Sequence, residues 1–474
     1  MNDAKVFKSI YAIVLLIFTV LLTVSCSRAY DPLIERGAEY EFRQGYPEVR
    51  MTAFGLLDDL GNGRIHITAD ITSNSLIFRQ INGQRFANVQ IEIMINGIEG
   101  TRYSYVYTTS KTIESEPGIF EEVLFRREMS VPPGNFDIML TVVDESSGRR
   151  TSRTSRAYIP DPEEKGVHVS AVQLLGIHPD RKWEGYVPVT AYHVSSAKDS
   201  LWFVVQVTNN RPDPITIRSQ IIRFEADTTA ARPMSFPNYS SSSLQYRGID
   251  YRSEKILNQT RRVLEDTGSV IIEFRKEMPD RGNYRFEVSV EGARLNNELY
   301  RARDFSVKSE NFPHIRNPRE LAEPLAYLMN AREYRELMAI EDPDSIKKAV
   351  DYFWLSNVSS INTARHVISL YYDRVEQANK QFTNFKEGWK TDQGLIYILF
   401  GPPWYVRTRL NTMQWSYTYD LSSTRGNYFF ERPRAPSEHF PFNNYLLQRS
   451  QDYFTIQYQQ IQRWKTGFIL QAIM

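Results

Sequence analysis

The sequence of 474 residues contains one cysteine, no surplus of either charge and no long hydrophobic run after residue 24. A single cysteine excludes an intrachain disulfide and any metal site built from several cysteines. The 57 Lys and Arg residues are matched by 56 Asp and Glu residues. This balance argues against the basic surface that binding to phosphates requires. We therefore predict no nucleic-acid partner.

The lone cysteine follows a segment typical of a secretory leader. Lys5 and Lys8 precede an apolar run from Ile10 to Val24, which is shorter than the roughly 20 residues that a membrane-spanning helix needs. We interpret residues 1–25 as a signal peptide. The end of this segment, Thr23-Val24-Ser25-Cys26, resembles the bacterial lipobox, although Thr23 stands where that motif most often has leucine. In a lipobox the cysteine becomes the lipidated N-terminus, so the resemblance implies lipidation of Cys26.

A lipid on Cys26 would tether the rest of the chain to a membrane of the bacterial envelope. Ser27-Arg28-Ala29 contains no acidic residue. By resemblance to the sorting rules of Gram-negative bacteria, we expect an outer-membrane lipoprotein that faces the periplasm. The alternative is a structural or accidental cysteine at the end of a leader.

Two successive regions show the two-residue alternation of half-buried strands. The alternating runs cover residues 64–71, 89–95 and 136–142 in the first region, and 215–224, 270–274 and 284–290 in the second. Ile159 to Gly166 is rich in proline and charge and is interpreted as a linker. We predict two antiparallel β-sandwich (Ig-like) domains, over residues 26–162 with an N-terminal tether and over residues 163–310.

The periodicity becomes helical after residue 316. Asn317-Pro318-Arg319-Glu320 and Asp342-Pro343 are helix start signals, and apolar residues from Ala364 to Phe382 recur at steps of three and four. We predict a helical linker and a C-terminal α+β domain over residues 311–474, so that the whole chain is a mainly β multidomain protein.

The C-terminal region is rich in aromatic residues. Residues 351–474 include 26 aromatics among 124 residues, whereas the preceding 350 residues include 35. Such enrichment is typical of a small core stabilised by large rings, and less often of a recognition surface.

One motif in this region has residue types that suggest a structural role. We predict that Asp392-Gln393-Gly394 forms a tight turn in which Gly394 takes a positive φ, followed by an apolar strand from Leu395 to Phe400. Gly401-Pro402-Pro403 would end that strand, because proline cannot donate a backbone hydrogen bond. Trp389 is placed to pack over the turn or on the preceding helix.

Gly388, Trp389, Thr391 and Asp392, together with Gly394 and Gly401-Pro402-Pro403, resemble the GWxTD domain of bacterial envelope proteins. In that family the motif follows a helix and precedes a short apolar strand. The resemblance covers about the last 160 residues and implies a lipoprotein leader with sandwich-like domains before the motif. It implies no activity, cofactor or catalytic residue.

The sequence offers no clear catalytic group. None of the seven histidines has a second His or a Cys at metal-ligand spacing, and no phosphate-binding glycine loop is present. Asp342 and Asp344 are interpreted as helix-cap residues. Thr391 and Asp392 are the strongest catalytic candidates, although turn formation already explains both. We predict no metal, no cofactor and no catalytic residue.

Two functions therefore remain open. The first is a membrane-anchored, non-enzymatic interaction or scaffold protein, in which the sandwiches act as spacers and the aromatic C-terminal domain binds an envelope protein. The alternative is a hydrolase of envelope glycan or peptide, or a glycan-binding protein, with its site in the C-terminal domain.

Overall fold

The computed structural model describes residues 34–35, 42–81, 83–115, 122–177, 185–291, 299–358, 360–420, 425–433 and 442–472. The predicted signal peptide and Cys26 lie outside these residues. Within the described part, no helix combines the length and the apolar character needed to cross a membrane. The chain is mainly β, with several antiparallel sheets, and this confirms the mainly β, antiparallel part of the predicted fold class.

After the short strand β1 (Ile34–Glu35), two sheets share the first hydrophobic core. Strands β2, β3 and β7 form one sheet, and β5 pairs with β4, β6 and β8 in the other, which β9 extends. The bounds are β2 (Val49–Leu57), β3 (Gly63–Thr72), β4 (Arg79–Ile81), β5 (Gln84–Ile98), β6 (Ser104–Ser115), β7 (Glu122–Ser130), β8 (Gly134–Asp144) and β9 (Arg150–Ile159). The three alternating runs predicted here all lie in strands, and their apolar residues face the shared core.

A second pair of sheets follows. One has the order β1-β19-β18-β15-β16 with β13 beside β19, and the other the order β10-β14-β11-β12 with β17 beside β14. The bounds are β10 (Val167–Val169), β11 (Gln173–Ile177), β12 (Val187–Pro188), β13 (His193–Ser195), β14 (Ser200–Asn209), β15 (Ile215–Ala226), β16 (Ile249–Leu264), β17 (Gly268–Glu277), β18 (Gly282–Glu291) and β19 (Tyr300–Lys308). A core that includes Phe203, Phe286 and Phe305 lies between the two sheets.

The C-terminal module combines helices with a four-stranded antiparallel sheet. After α1 (Leu244–Arg247), which precedes β16, the helices are α2 (Pro318–Ala322), α3 (Ala331–Met338), α4 (Pro343–Asn357), α5 (Ile361–Phe382), α6 (Asp392–Phe400) and α7 (Tyr453–Thr466). The strands are β20 (Tyr405–Thr408), β21 (Thr412–Ser416), β22 (Asn427–Glu431) and β23 (Leu446–Leu447). Asn317 and Asp342 cap α2 and α4 as predicted, and the predicted amphipathic helix is α5.

Two segments join neighbouring parts of the fold. The loop between β15 and β16, residues 227–248, inserts Ala231 and Met234 into the core of the C-terminal module. Near the other end of the chain, Ile34 of β1 pairs in parallel with Ala302 of β19. Chain order therefore differs from spatial order at both places. In the C-terminal core, the next buried member after Met234 is Ala322, which lies beyond the last strands of the second sandwich.

Candidate functional site

The motif lies in the interior of the C-terminal module. Gly388, Trp389 and Lys390 form a single 3-10 turn after α5, and Thr391 begins α6. The Thr391 hydroxyl donates to the Gly388 carbonyl oxygen at 2.7 Å and accepts from the Gly394 N–H at 3.0 Å. Thr391 is thus an N-cap, a role for which a hydroxyl is well suited.

The predicted turn and strand after Thr391 are wrong. Residues 392–400 form helix α6, and Gly394 is not among the glycines with positive φ. Leu395, Ile396, Ile398 and Leu399 are all completely buried, so the helix is covered on every side and has no polar face. A short apolar run of this kind does not distinguish a strand from a buried helix. The motif therefore precedes a helix, not the strand that the family resemblance implied.

The two motif glycines allow backbones to approach closely. A Cβ atom on Gly388 would lie 2.0 Å from the carbonyl oxygen of Ala378 in α5, and one on Gly394 would lie 2.0 Å from that of Gly388. Both positions are buried. A side chain at either residue would push α6, the 3-10 turn and α5 apart.

Gly394→Ala should therefore destabilise the C-terminal module, although alanine is normally better than glycine in a helix by about 1 kcal/mol. We expect a loss of about 2–3 kcal/mol from the overpacking. Urea unfolding followed by tryptophan fluorescence measures this, since five of the seven tryptophans lie in residues 351–474. Gly176→Ala is the control, because the nearest atom to its new Cβ belongs to the flexible Lys198 side chain. A stabilised Gly394→Ala protein would contradict the packing.

The end of α6 is fixed by side chains from other helices. Gly401 has a φ of +86° and ends the helix before Pro402 and Pro403. Arg374 donates to the carbonyl oxygens of Ile398 at 3.1 Å and Leu399 at 3.4 Å. Gln460 and Trp464 of α7 also donate to the Leu399 oxygen, at 2.7 Å and 3.0 Å. The Gly-Pro-Pro segment thus ends a helix rather than the predicted strand. The last carbonyl groups of α6 accept hydrogen bonds from these side chains.

Asp392 forms a buried ion pair with Arg449. Its carboxylate oxygens lie 2.6 Å and 2.9 Å from the two terminal nitrogens of the guanidinium, and the side chains are 2% and 0% exposed. The Leu447 N–H also donates to Asp392 at 2.7 Å. Arg449 follows Asp392 by 57 positions, and no periodic or motif signal in the sequence connects the two residues. The aspartate joins α6 to β23 and the segment that follows it.

Arg449 also contacts the loop between β15 and β16. Its guanidinium lies 4.5 Å from the centroid of the Tyr239 ring, and its backbone N–H donates to the side chain of Asn238 at 2.7 Å. Burial, with the nearby Asp392 carboxylate, raises the pKa of Tyr239 to about 12. The ion pair therefore stabilises the place where this loop enters the C-terminal core.

Trp389 is buried, and each of its polar backbone and side-chain groups has a partner. The indole N–H donates to Glu387 at 3.0 Å, the backbone N–H donates to the Asn379 side chain at 3.2 Å, and the carbonyl oxygen accepts from the Tyr327 hydroxyl at 2.6 Å. Tyr327 also packs edge-on against the indole ring. These contacts account for Trp389 as a core residue.

The charged residues flanking Trp389 contact the second sandwich. Lys386 lies 2.5 Å from Asp227 and also donates to the Thr229 carbonyl oxygen, while Glu387 accepts from the Ser309 N–H at 3.1 Å. Lys308, at the end of β19, donates to the carbonyl oxygen of Asn384 at 3.2 Å. Burial lowers the pKa of Lys308 to about 7, with Glu387 opposing the shift. The residues before the motif thus form a polar junction between the two parts of the fold.

Glu387 gives this junction a pH dependence. Burial alone would raise its pKa, but Lys390, Arg281 and Lys308 outweigh this effect and lower the pKa to about 2. A carboxyl group with a lowered pKa contributes stability above its ordinary pKa and loses it as the pH falls toward the folded value.

We therefore expect the protein to lose about 2 kcal/mol more stability than Glu387→Gln between about pH 6 and about pH 3. Urea unfolding of both proteins at a series of pH values measures the difference. Parallel pH profiles would contradict an ionised, stabilising Glu387.

Thr391 and Asp392, the strongest catalytic pair from sequence, are both 3% exposed and are held by the contacts described above. Among the described residues, no group of three His, Cys, Asp or Glu side chains is arranged to hold a metal ion. Trp389 and Trp415 are buried, but Trp404 is 58% exposed. The exposed Trp404 ring lies 5.3 Å from that of Tyr419, and this surface is separate from the motif.

The structure thus defines a mainly β multidomain protein whose C-terminal α+β module is built around a buried, capped helix motif. Residues 293–466 match the family model of the GWxTD domain, so the C-terminal part of the chain contains a GWxTD domain. This finding confirms the resemblance that the motif indicated. No curated protein matches the chain.

Two solved structures show partial similarity. One is the crystal structure of red sea bream transglutaminase, with 10% identity, a TM-score of 0.19, and coverage of 56% of this chain and 32% of that chain. The other is the native conformation of E. coli alpha-2-macroglobulin, with 13% identity, a TM-score of 0.18, and coverage of 57% and 16%. The chain thus spans about a third of the first protein and about a sixth of the second. At these scores neither similarity bears on function.

Proposed function

We propose that this protein is a membrane-anchored lipoprotein of the cell envelope that acts as a non-enzymatic interaction or scaffold protein. One observation carries the non-enzymatic part of the proposal: the polar side chains of the motif and of the preceding Glu387 form hydrogen bonds and an ion pair in the interior. Thr391 caps α6, Asp392 pairs with Arg449, and Glu387 accepts from Trp389. A reactive site needs side chains that can reach a substrate. Buried contacts of this kind instead hold the second sandwich and the C-terminal module together, and partners would bind at the exposed surface.

The C-terminal module is the proposed partner-binding part. Helix α7 exposes Phe454 and Tyr458 one turn apart, and Phe468 follows the helix; all three are more than half exposed. Aromatic side chains contribute strongly to protein interfaces when a partner covers them. With the proposed anchorage in the envelope, we infer that the partner is an envelope protein.

Crosslinking in the native cell tests this proposal. The photoreactive amino acid p-benzoylphenylalanine would replace Tyr458 on α7 or, as a control, the exposed Tyr105 on β6. We expect a discrete protein adduct from position 458 and none from position 105. Equal adducts from both positions, or none from position 458, would contradict a specific partner on the C-terminal module.

The anchor needs a separate test. Cys26 is the chain's only cysteine, so Cys26→Ser removes every possible thioether lipid. We expect the unchanged protein to incorporate an alkyne-labelled fatty acid and to sediment with the outer membrane, and the variant to lose both properties. A Cys26→Ser protein that still carries the label would refute lipidation at this residue.

A glycan-binding protein is the second candidate. The exposed rings of Trp404, Tyr405 and Tyr419 lie close together, and sugar rings pack on such aromatic side chains. Binding of the purified protein to isolated peptidoglycan, lost in Trp404→Ala, would favour this function.

A further inference from the structure

The hairpin formed by β20 and β21 exposes aromatic, apolar and basic side chains. We call Trp404, Tyr405, Arg407, Arg409, Leu410 and Tyr419 the hairpin surface. Leu410 lies at the tip between the strands and is 78% exposed. Tyr419, which is 80% exposed, lies with its ring centroid 5.3 Å from that of Trp404 and 6.3 Å from that of Tyr405. Large apolar side chains grouped on a surface mark a site of interaction.

The shape of the hairpin surface favours a deformable partner. Strand β20 is the edge of its sheet, and all four of its residues are exposed. The rings of Trp404 and Tyr419 are tilted by 47°, so they do not form one flat platform. A projecting leucine beside tilted rings fits a soft interface better than a rigid sugar or a preformed pocket, since small-ligand sites are concave.

The charge of this region favours an anionic partner. Residues 404–433 contain four arginines and two acidic residues, whereas the chain as a whole is balanced. Arg407 and Arg409 are exposed, and no ion pair of the described residues includes either of them. Basic side chains near an anionic membrane are attracted to its headgroups, while Trp and Tyr prefer the membrane interface.

The N-terminal segment comes close to the same part of the molecule. The ring of Phe42 lies 5.8 Å from Lys380 in the last turn of α5, and Phe382, in the same turn, packs against Trp415 of β21. Ile34 is paired with Ala302. Cys26 precedes Ile34 by eight residues, so the distance between these two residues is at most about 28 Å. A lipid on Cys26 would thus hold the membrane near the second sandwich and the C-terminal module.

We propose that the hairpin surface docks on the headgroup region of an anionic lipid membrane and holds the tethered protein in one orientation. Leu410 enters the interface, Trp404 and Tyr405 lie at the level of the headgroups, and Arg407 and Arg409 bind lipid phosphates. The inference rests on the proposed membrane anchorage. The anchor supplies attachment, and the hairpin determines which face of the body meets the membrane.

A single-cysteine label tests the hairpin without the lipid. In the chain from residue 26 onward carrying Cys26→Ser, Leu410→Cys creates the only cysteine, to which a polarity-sensitive NBD dye is attached. The control is Leu60→Cys in the same background, because Leu60 is also a highly exposed leucine at a hairpin tip, between β2 and β3. Vesicles contain phosphatidylethanolamine with phosphatidylglycerol, or phosphatidylcholine alone.

We expect the dye at position 410 to shift to the blue on the anionic vesicles and to be quenched by spin-labelled lipid, with no change at position 60. Arg407→Gln with Arg409→Gln should weaken this vesicle binding about 30-fold, and added salt should weaken it further.

Three results would overturn the proposal: no change at position 410, equal changes at positions 410 and 60, or a change only when isolated peptidoglycan replaces the vesicles. The last result would assign the surface to a glycan. Because the protein lacks the lipid, failure here is distinct from failure of Cys26 lipidation in the cell.

Discussion

Trp389→Ala is expected to destabilise the C-terminal module by about 3–5 kcal/mol, the usual cost of removing a large buried ring. The indole is 3% exposed and packs edge-on against Tyr327. Its loss leaves a cavity beside Tyr327 and the end of α5. It also removes the N–H that donates to Glu387, a carboxylate with little access to water.

Trp404→Ala is the matched control for this prediction. Trp404 lies in the same module but is more than half exposed, so its removal should change stability by no more than about 0.5 kcal/mol. Urea unfolding monitored by the remaining tryptophans measures both variants. Equal stability of the Trp389→Ala protein and the unchanged protein would remove the structural explanation of the motif and point to a direct functional role for Trp389.

Asp392→Asn is expected to cost a similar amount, about 3–5 kcal/mol, because it leaves the guanidinium of Arg449 buried without its counter-charge. Asparagine preserves the shape of the side chain, so the change isolates the charge. Since the side chain of Arg449 is completely buried, water cannot replace the lost partner unless the structure opens.

Asp351→Asn provides the comparison for this substitution. Asp351 pairs with Lys347 on the surface of α4, where both side chains are about half exposed. Removing such a pair typically costs less than about 1 kcal/mol. Replacing both members of the buried pair, as Asp392→Leu with Arg449→Met, should be less damaging than Asp392→Asn alone. If the single and double variants lost the same stability, the two side chains would not be coupled.

The sequence allowed prediction of the elements whose signals are local. Helix starts at Asn317 and Asp342 follow from cap residues and an adjacent proline, and the alternating strands follow from the pleat of a half-buried sheet. Helix α6 was missed because its apolar run has no polar face from which a period could be read. A tight turn after Thr391 and a helix N-cap at Thr391 favour similar residue types. The two structures are distinguished by the packing of Gly394 against Gly388, which the sequence does not show.

The main parts of the candidate site could not be predicted because their contacts are distant in sequence. Arg449 pairs with Asp392 of the motif, and Met234 lies in the same hydrophobic core as Trp389. Neither residue lies in a recognisable sequence pattern. The loop that carries Met234 is rich in serine and proline, which is typical of a surface connection. The burial of Met234 depends on the C-terminal core, which is formed by residues much later in the chain.

Hydrogen exchange of the full chain, compared between the unchanged protein and Asp392→Asn, tests most directly whether the motif joins the second sandwich to the C-terminal module. The loop of residues 227–248 and the segment around Leu447 should exchange about 100-fold faster in the variant, as expected for a local loss of about 3 kcal/mol. Strands of the first sandwich, such as β5 and β8, should be unaffected. Unchanged exchange in residues 227–248 of the variant would contradict the role of the motif as a structural joint.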